Sequence, residues 1–195
     1  MSVKIGFYIC HCGINIAYKV RVEEVAAFAR ELQHVVVARD YKFMCSDPGQ
    51  AMIEKDIHDF GLNRVVVASC SPSSYEPIFR ACIEGAGLNP YLLEMANIRE
   101  HCSWVTPNDR EAATCKAKGI VKVAVARAHW LYPQDEEQIP VTKAALVVGG
   151  GVAGIQAALD LADGGNQVYL VEKKPSIGGI MAQLDKVYPD IECSI

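Results

Sequence analysis

The stretch Ala145–Glu172, ALVVGGGVAGIQAALDLADGGNQVYLVE, decides how the last third of this chain folds. The apolar run Ala144–Val148 reads as a buried strand. Gly149, Gly151 and Gly154 follow as G-x-G-x-x-G and open a helix rich in Ala and Leu, which is the context that motif requires. The first glycine permits a tight turn, the second lets the backbone approach a pyrophosphate, and the third lets helix and strand pack closely. The free N–H groups of the helix N-terminus then face the anion. Val168–Val171 is the second strand, and Glu172 ends it, 18 residues beyond Gly154. A carboxylate there bonds the ribose hydroxyls of an adenine dinucleotide. Strand, glycine turn, helix, strand and acid in this order point to a dinucleotide site rather than a ligand-free turn. Lys173 beside the acid is a further candidate contact.

Past the acid the chain reads KKPSIGG, so Gly178 and Gly179 follow Glu172 after five residues. Glu-x-x-x-x-x-Gly-Gly resembles the FAD-binding segment of disulfide-reductase-like flavoproteins, in which the glycine pair brings a second loop close to the pyrophosphate. That resemblance favours FAD over NAD.

Upstream, strand-like and helix-like segments alternate. Val3–Ile9, Val35–Arg39, Val65–Ser69 and Tyr91–Met95 are β-rich and apolar. Between and after them, Val22–Leu32, Pro48–Phe60, Pro72–Ala86 and Arg110–Leu131 have apolar residues at helical spacing, with Gly61 and Gly87 as stops. This alternation implies an α/β fold with a parallel sheet. Tyr132–Thr142 is polar, with two prolines and the acidic run Asp135–Glu137, and reads as a linker. The expected division is a cysteine-rich α/β domain over 1–132, a linker over 133–142, and over 143–195 the first βαβ part of a Rossmann-like domain.

Hydrophobic residues make up 51% of the 195 and the net charge is −4. Acidic and basic residues are well mixed, which argues against a nucleic-acid surface or a polybasic membrane patch. The longest apolar stretch, Ala144–Leu159, is too short and too Gly-broken to span a membrane. With no secretory signal in view, the protein reads as soluble and cytoplasmic.

Eight cysteines are many for such a chain, and in a reducing compartment they more often bind metal, react or pack than form disulfides. Cys10 and Cys12 (ICHCG), Cys45 (FMCSDPG), Cys70 (ASCSPSS) and Cys102 (EHCSW) each follow one of the four strands. In a parallel sheet those strand ends share the ligand-binding edge, so the five are expected to converge. Asp47 and Ser71 read as N-caps before prolines, and helix N-termini favour thiolates. Four of the five could hold a [4Fe–4S] cluster; Cys10 and Cys12 are so close that one of them could be a neighbour rather than a ligand. Zinc competes, but its structural sites usually show paired C-x2-C knuckles, and none occurs here. Cys82 and Cys115, inside helices, are assigned to packing, as are Trp104 and Trp130. His11 and His101 read as exposed loop histidines, although either could tune a cluster.

The segments YICHCGINIA, VVVARDYKFMCSDPGQ, LNRVVVASCSPSSYEP, GLNPYLLEMANIREHCSWV and VVGGGVAGIQAALDLADGGNQVYLVEKKPSIGGIMAQLDKVYPDIECS resemble the N-terminal part of the heterodisulfide reductase A subunit. The resemblance implies an electron-transfer protein holding FAD and several [4Fe–4S] clusters. Its implied partners are the B and C subunits of heterodisulfide reductase, and often a hydrogenase or a formate dehydrogenase as electron donor. Its flavin is implied to split an electron pair between acceptors of high and low potential. Similar proteins serve sulfate-reducing and aromatic-degrading bacteria, so the resemblance does not set the substrate. Ile180 stands where the family usually has arginine, which bears on a flavin-facing contact and not on the pyrophosphate site. A cysteine-rich docking module with an empty flavin site and an NAD(P)-dependent reductase are the alternatives.

The chain ends Asp190-Ile191-Glu192-Cys193-Ser194-Ile195, where the family reads Cys-Ser-x-Cys and continues. The resemblance thus implies truncation, with a selenocysteine codon directly after Ile195 as the expected cause and an arbitrary fragment or a split gene as alternatives. Cys193 is then a possible ligand of a second cluster, and this stretch of 195 residues is expected to be inactive and to bind FAD poorly by itself.

Overall fold

The computed structural model describes residues 2–106, 108–189 and 191–193. Ser194 and Ile195, on which the reading of the terminus rests, lie outside the described residues. The chain forms two compact units, divided between Glu136 and Glu137.

Unit 1 is a four-stranded parallel sheet. Its strands are β1 (Ile5–Cys10), β2 (Val35–Tyr41), β3 (Arg64–Ser69) and β4 (Leu93–Asn97), in the order β2-β1-β3-β4. The helices are α1 (Val22–Arg30), α2 (Asp47–Phe60), α3 (Pro72–Gly85) and α4 (Arg110–Ala128). The period-2 alternation of the strands sorts side chains onto two faces. Ile5, Phe7, Ile9, Val66, Ala68 and Ala96 enter one core layer with residues of α1 and α4. Tyr8, Cys10, Val37, Val65, Val67 and Leu93 enter the other with residues of α2 and α3. A three-layer α/β/α sandwich follows, because a parallel sheet is apolar on both faces and must be covered on both. Burying each large aliphatic residue contributes about 1.5–3 kcal/mol, and both layers hold many such residues.

Several expectations are corrected. The α2 N-cap is Ser46, not Asp47, which is the first helical residue; neither Ser46 nor Ser71 makes a side-chain capping bond. Pro90–Leu92 is a turn of 3-10 helix, so β4 starts at Leu93 rather than Tyr91. Cys115 is exposed and Trp104 and Trp130 are 54% and 69% exposed, so none of the three packs in the core. His11 is not an exposed loop residue: its Nε2 meets Asp40 Oδ2 at 2.8 Å and its side chain is 18% exposed.

Unit 2 contains β5 (Ala144–Val148), α5 (Val152–Asp163) and β6 (Gln167–Val171), with the two strands paired in parallel, and a short antiparallel pair, β7 (Lys186–Val187) and β8 (Glu192–Cys193). This is the beginning of a Rossmann-like domain. Leu146, Val148, Leu159, Tyr169 and Val171 are exposed, and no residue of α5 is buried. Among the described residues, no helix is long and apolar enough to cross a membrane.

Candidate functional site

In unit 1 the chain runs from β1 to β2 on one side and returns through β3 to β4 on the other, so the strand order reverses between β1 and β3. Ligands of open α/β sheets bind outside the carboxyl ends of the strands at such a point. Cys10 is the last residue of β1, and Cys70 directly follows β3. Cys45 lies two residues before α2, and Cys70 two before α3, so both sit beside the positive ends of helix dipoles.

The loop after β1 is tied to the one after β2. The N–H of His11 donates to Tyr41 O at 2.9 Å, and that of Gly13 to Lys42 O at 3.3 Å. Cys12 adopts φ +51°, a backbone rarely taken by non-glycine residues. Its N–H donates to Cys10 Sγ at 3.2 Å, and the N–H of Met44 reaches the same sulfur at 3.4 Å. Arg99 Nη1 donates to Cys12 Sγ at 3.4 Å. Cys10 stands in electrostatic reach of Cys12 and Cys45, and Cys70 of Cys10, Cys12 and Arg99. The structure therefore brings together Cys10, Cys12, Cys45 and Cys70.

Cys102 departs from the expectation that all five converge. It lies in a π-helical turn, Arg99–Ser103, is 0% exposed, and packs in the α1/α4 core layer. Its thiol donates to Ala113 O at 3.1 Å. An apolar neighbourhood and a backbone acceptor explain the turn inward. Cys82 is buried in α3 and donates to Gln50 O at 3.6 Å; His101 is exposed.

Burial pushes the Cys10 thiol up, against the N–H groups of Met44 and Cys12. Burial also pushes the Cys70 thiol up to about 11, with Arg99 opposing. A cation or cluster bound here would displace those protons, since the thiolate is the ligand form. The donor set fits a soft metal group: four sulfurs, with N–H donors on two of them. Among the described residues, the group of three or more ligand atoms drawn within 4.8 Å is His11, Glu23 and Asp40, so no three of the thiol sulfurs lie that close together. Tetrahedral zinc, with Zn–S of about 2.3 Å, needs sulfurs roughly 3.8 Å apart. Two cavities of unit 1, about 460 and 420 Å³, are lined by neither these thiols nor Arg99.

In unit 2, Gly149 has φ +106° and turns the chain from β5 into α5. A Cβ on Gly154 would lie 1.8 Å from Gly149 O, so helix and turn are in contact there; one on Gly151 would meet nothing within 4 Å. The space beside Gly151 is open, and a side chain there would occupy it. Glu172 Oε2 accepts the N–H of Gly150 at 2.7 Å, and Oε1 that of Lys174 at 2.8 Å. The N–H groups of Lys174, Gly150 and Lys173 hold its carboxyl below the usual range. The carboxylate keeps lone pairs free beyond these two bonds. Gly178 N–H donates to Gly150 O at 2.6 Å, and a Cβ on Gly179 would stand 2.9 Å from Gly151 Cα, so the second loop lies against the first. Cys193 is exposed on β8.

Sequence reasoning missed Arg99. A lone arginine in a polar loop carries no signal, since its partner Cys12 is 87 residues away.

A family model described as FAD dependent oxidoreductase matches residues 145–190. The chain is 63% identical over 192 residues to the second iron-sulfur A subunit of the CoB–CoM heterodisulfide reductase of Methanopyrus kandleri, covering 98% of this chain and 29% of that protein. It is 58% identical, with the same coverages, to the A subunit of the H(2):CoB-CoM heterodisulfide,ferredoxin reductase of Methanothermobacter marburgensis. Identity to the A subunit of the Ferredoxin/F(420)H(2)-dependent CoB-CoM heterodisulfide reductase of Methanosarcina acetivorans is 51%, over 99% of this chain and 24% of that protein. The chain thus spans less than a third of the length of the curated relatives it matches.

Proposed function

Since this chain belongs to the family of heterodisulfide reductase A subunits, we propose that it is the cysteine-rich and flavin-proximal part of an oxidoreductase subunit that passes electrons between an iron–sulfur cluster and FAD. The carrying observation is the gathering of Cys10, Cys12, Cys45 and Cys70 at the switch point of unit 1. These four are the proposed ligands of a [4Fe–4S] cluster, with Cys102 outside the set; thiols drawn from separate loops, with no paired C-x2-C knuckle, support a cluster over one zinc ion. When bound, the cluster supplies one-electron transfer and the flavin supplies one- or two-electron exchange.

The chain's own residues do the holding and tuning. The N–H groups of Cys12 and Met44 fix the Cys10 sulfur, and the N-termini of α2 and α3 offset negative charge. Gly149 turns the chain, Gly154 lets helix and turn touch, and the open space beside Gly151 is the proposed pyrophosphate site; Glu172 and Lys173 are the proposed ribose contacts, and Gly178 and Gly179 hold the second loop against the first. Cys193, exposed on β8, is the proposed ligand of a second cluster. The proposed domains are a cysteine-rich domain over 1–132, a linker over 133–142 and the start of the flavin domain over 143–195.

For the whole protein the proposed setting is the cytoplasm, with the B and C subunits and a hydrogenase or formate dehydrogenase as partners, and flavin-based electron bifurcation as the mode of action. The relatives' names support the heterodisulfide acceptor and an electron carrier such as ferredoxin. The anaerobically purified chain should carry about four irons, with broad visible absorption and a paramagnetic resonance signal on reduction. Cys45→Ala should abolish these and Cys102→Ala should retain them. Stoichiometric zinc without iron would overturn the reading.

A further inference from the structure

Arg99 is clamped on several sides. Its Nε and Nη2 donate to Glu100 Oε1 at 3.0 and 2.8 Å, and its guanidinium lies 5.0 Å from the centre of the Trp104 ring. The Glu100 N–H is held by Asn97 Oδ1 at 3.0 Å, and the Trp104 N–H by Arg99 O at 2.9 Å. The Arg99 side chain is 18% exposed. Its remaining edge, Nη1, points at Cys12 Sγ, 3.4 Å away. Cys12 is itself held in a left-handed conformation against Cys10. A flexible surface arginine would have no reason to be fixed by a carboxylate, an indole and the turn's own backbone while presenting one N–H pair to a sulfur.

We propose that Arg99 is a positioning residue that donates a charge-assisted hydrogen bond to the Cys12 thiolate and thereby raises the reduction potential of the cluster that this thiolate holds; this rests on the cluster reading above. Reduction adds one electron and makes or breaks no bond. The added negative charge spreads onto the ligand sulfurs, where an N–H donor stabilises it more than in the oxidised state, and hydrogen bonds to the sulfurs are one of the factors that set such potentials. Glu100 keeps the site from carrying a bare cation and orients the guanidinium, while Trp104 covers its face. Lysine cannot reproduce this geometry, because a point charge has no planar fork to span Glu100 and Cys12 together.

The test is a redox titration of the anaerobically purified chain, followed by paramagnetic resonance, for the wild type, Arg99→Gln and Arg99→Lys, with iron content and melting temperature measured on each. Arg99→Gln should hold the same iron and shift the reduction equilibrium about tenfold toward the oxidised form, a fall of about 59 mV for a one-electron couple. Arg99→Lys should recover part of the shift. Iron-loaded variants with the wild-type midpoint would overturn the role of Arg99 and leave the cluster reading standing. If Arg99→Gln loses its iron, the midpoint of Arg99→Lys decides: a wild-type value overturns the proposal and a lowered one supports it. A wild-type chain without iron overturns both.

Discussion

Replacing Gly151 and Gly154 separately by valine divides a binding effect from a folding effect. On Gly154 a Cβ would stand 1.8 Å from Gly149 O, where real Cβ contacts are essentially never under 3.0 Å, so backbone must yield by about 1.2 Å. Neither atom belongs to a flexible side chain, so Gly154→Val should disrupt the β5–α5 turn. On Gly151 a Cβ meets nothing within 4 Å, so Gly151→Val should leave unit 2 folded and occupy the open space instead. The first N–H groups of α5 have no partner within the helix. If valine denies a pyrophosphate two such hydrogen bonds, each worth about 1.5–3 kcal/mol to a charged group, affinity falls by roughly 10²- to 10⁴-fold. Circular dichroism of this chain reads the folding arm. Flavin content and FAD titration in a version extended to its relatives' length read the binding arm. Gly165→Ala, which strains a residue at φ +80° with no neighbour within 4 Å, is the control and should keep its flavin. Wild-type FAD affinity in Gly151→Val would refute the assignment of the glycine turn to the pyrophosphate.

Two further outcomes follow from burial. Burial raises the Glu94 carboxyl, with Arg127 only partly compensating at 2.9 Å. A carboxyl whose pKa is higher folded than unfolded weakens the fold when ionised and costs nothing once both states are protonated. Glu94→Gln should therefore melt at a higher temperature than wild type at pH 7, with the difference vanishing as pH falls toward the ordinary carboxylate range; a variant that melts lower at pH 7 would contradict this. In metal-free protein, alkylation at pH 8 read by mass spectrometry should mark exposed Cys115 and Cys193 first. Cys70, held at about 11 by burial, should react slowly and gain about tenfold in rate per pH unit below that value; equal rates at all cysteines would remove the argument.

Much of this protein was legible before folding, because its signals are local. The order Gly149, Gly151, Gly154, Glu172 lies within one βαβ unit, and each glycine answers to its immediate neighbours. Likewise Gly61, at φ +61°, stops α2 through its own backbone freedom. Strand period and helix spacing sorted the chain into a parallel α/β sheet for the same reason: covering both sheet faces requires little beyond the pattern of apolar residues.

What needed the tertiary structure is where loop side chains point. Five cysteines follow four strands, yet four gather and Cys102 turns into the core to bond Ala113 O. That choice depends on a π-helical turn whose rotation sends Arg99 toward Cys12 and Cys102 away from it. No spacing in the sequence encodes such a rotation, because it goes with the Glu100 N–H held by Asn97 Oδ1 and the Arg99 guanidinium set over the Trp104 ring after β4. The same holds for His11, which composition leaves in solvent and the β2 neighbour Asp40 draws in. Sequence alone determined the elements and the sheet edge that the cysteine loops share; only packing decided which side chains reach that edge, since their directions are fixed by contacts made across tens of residues.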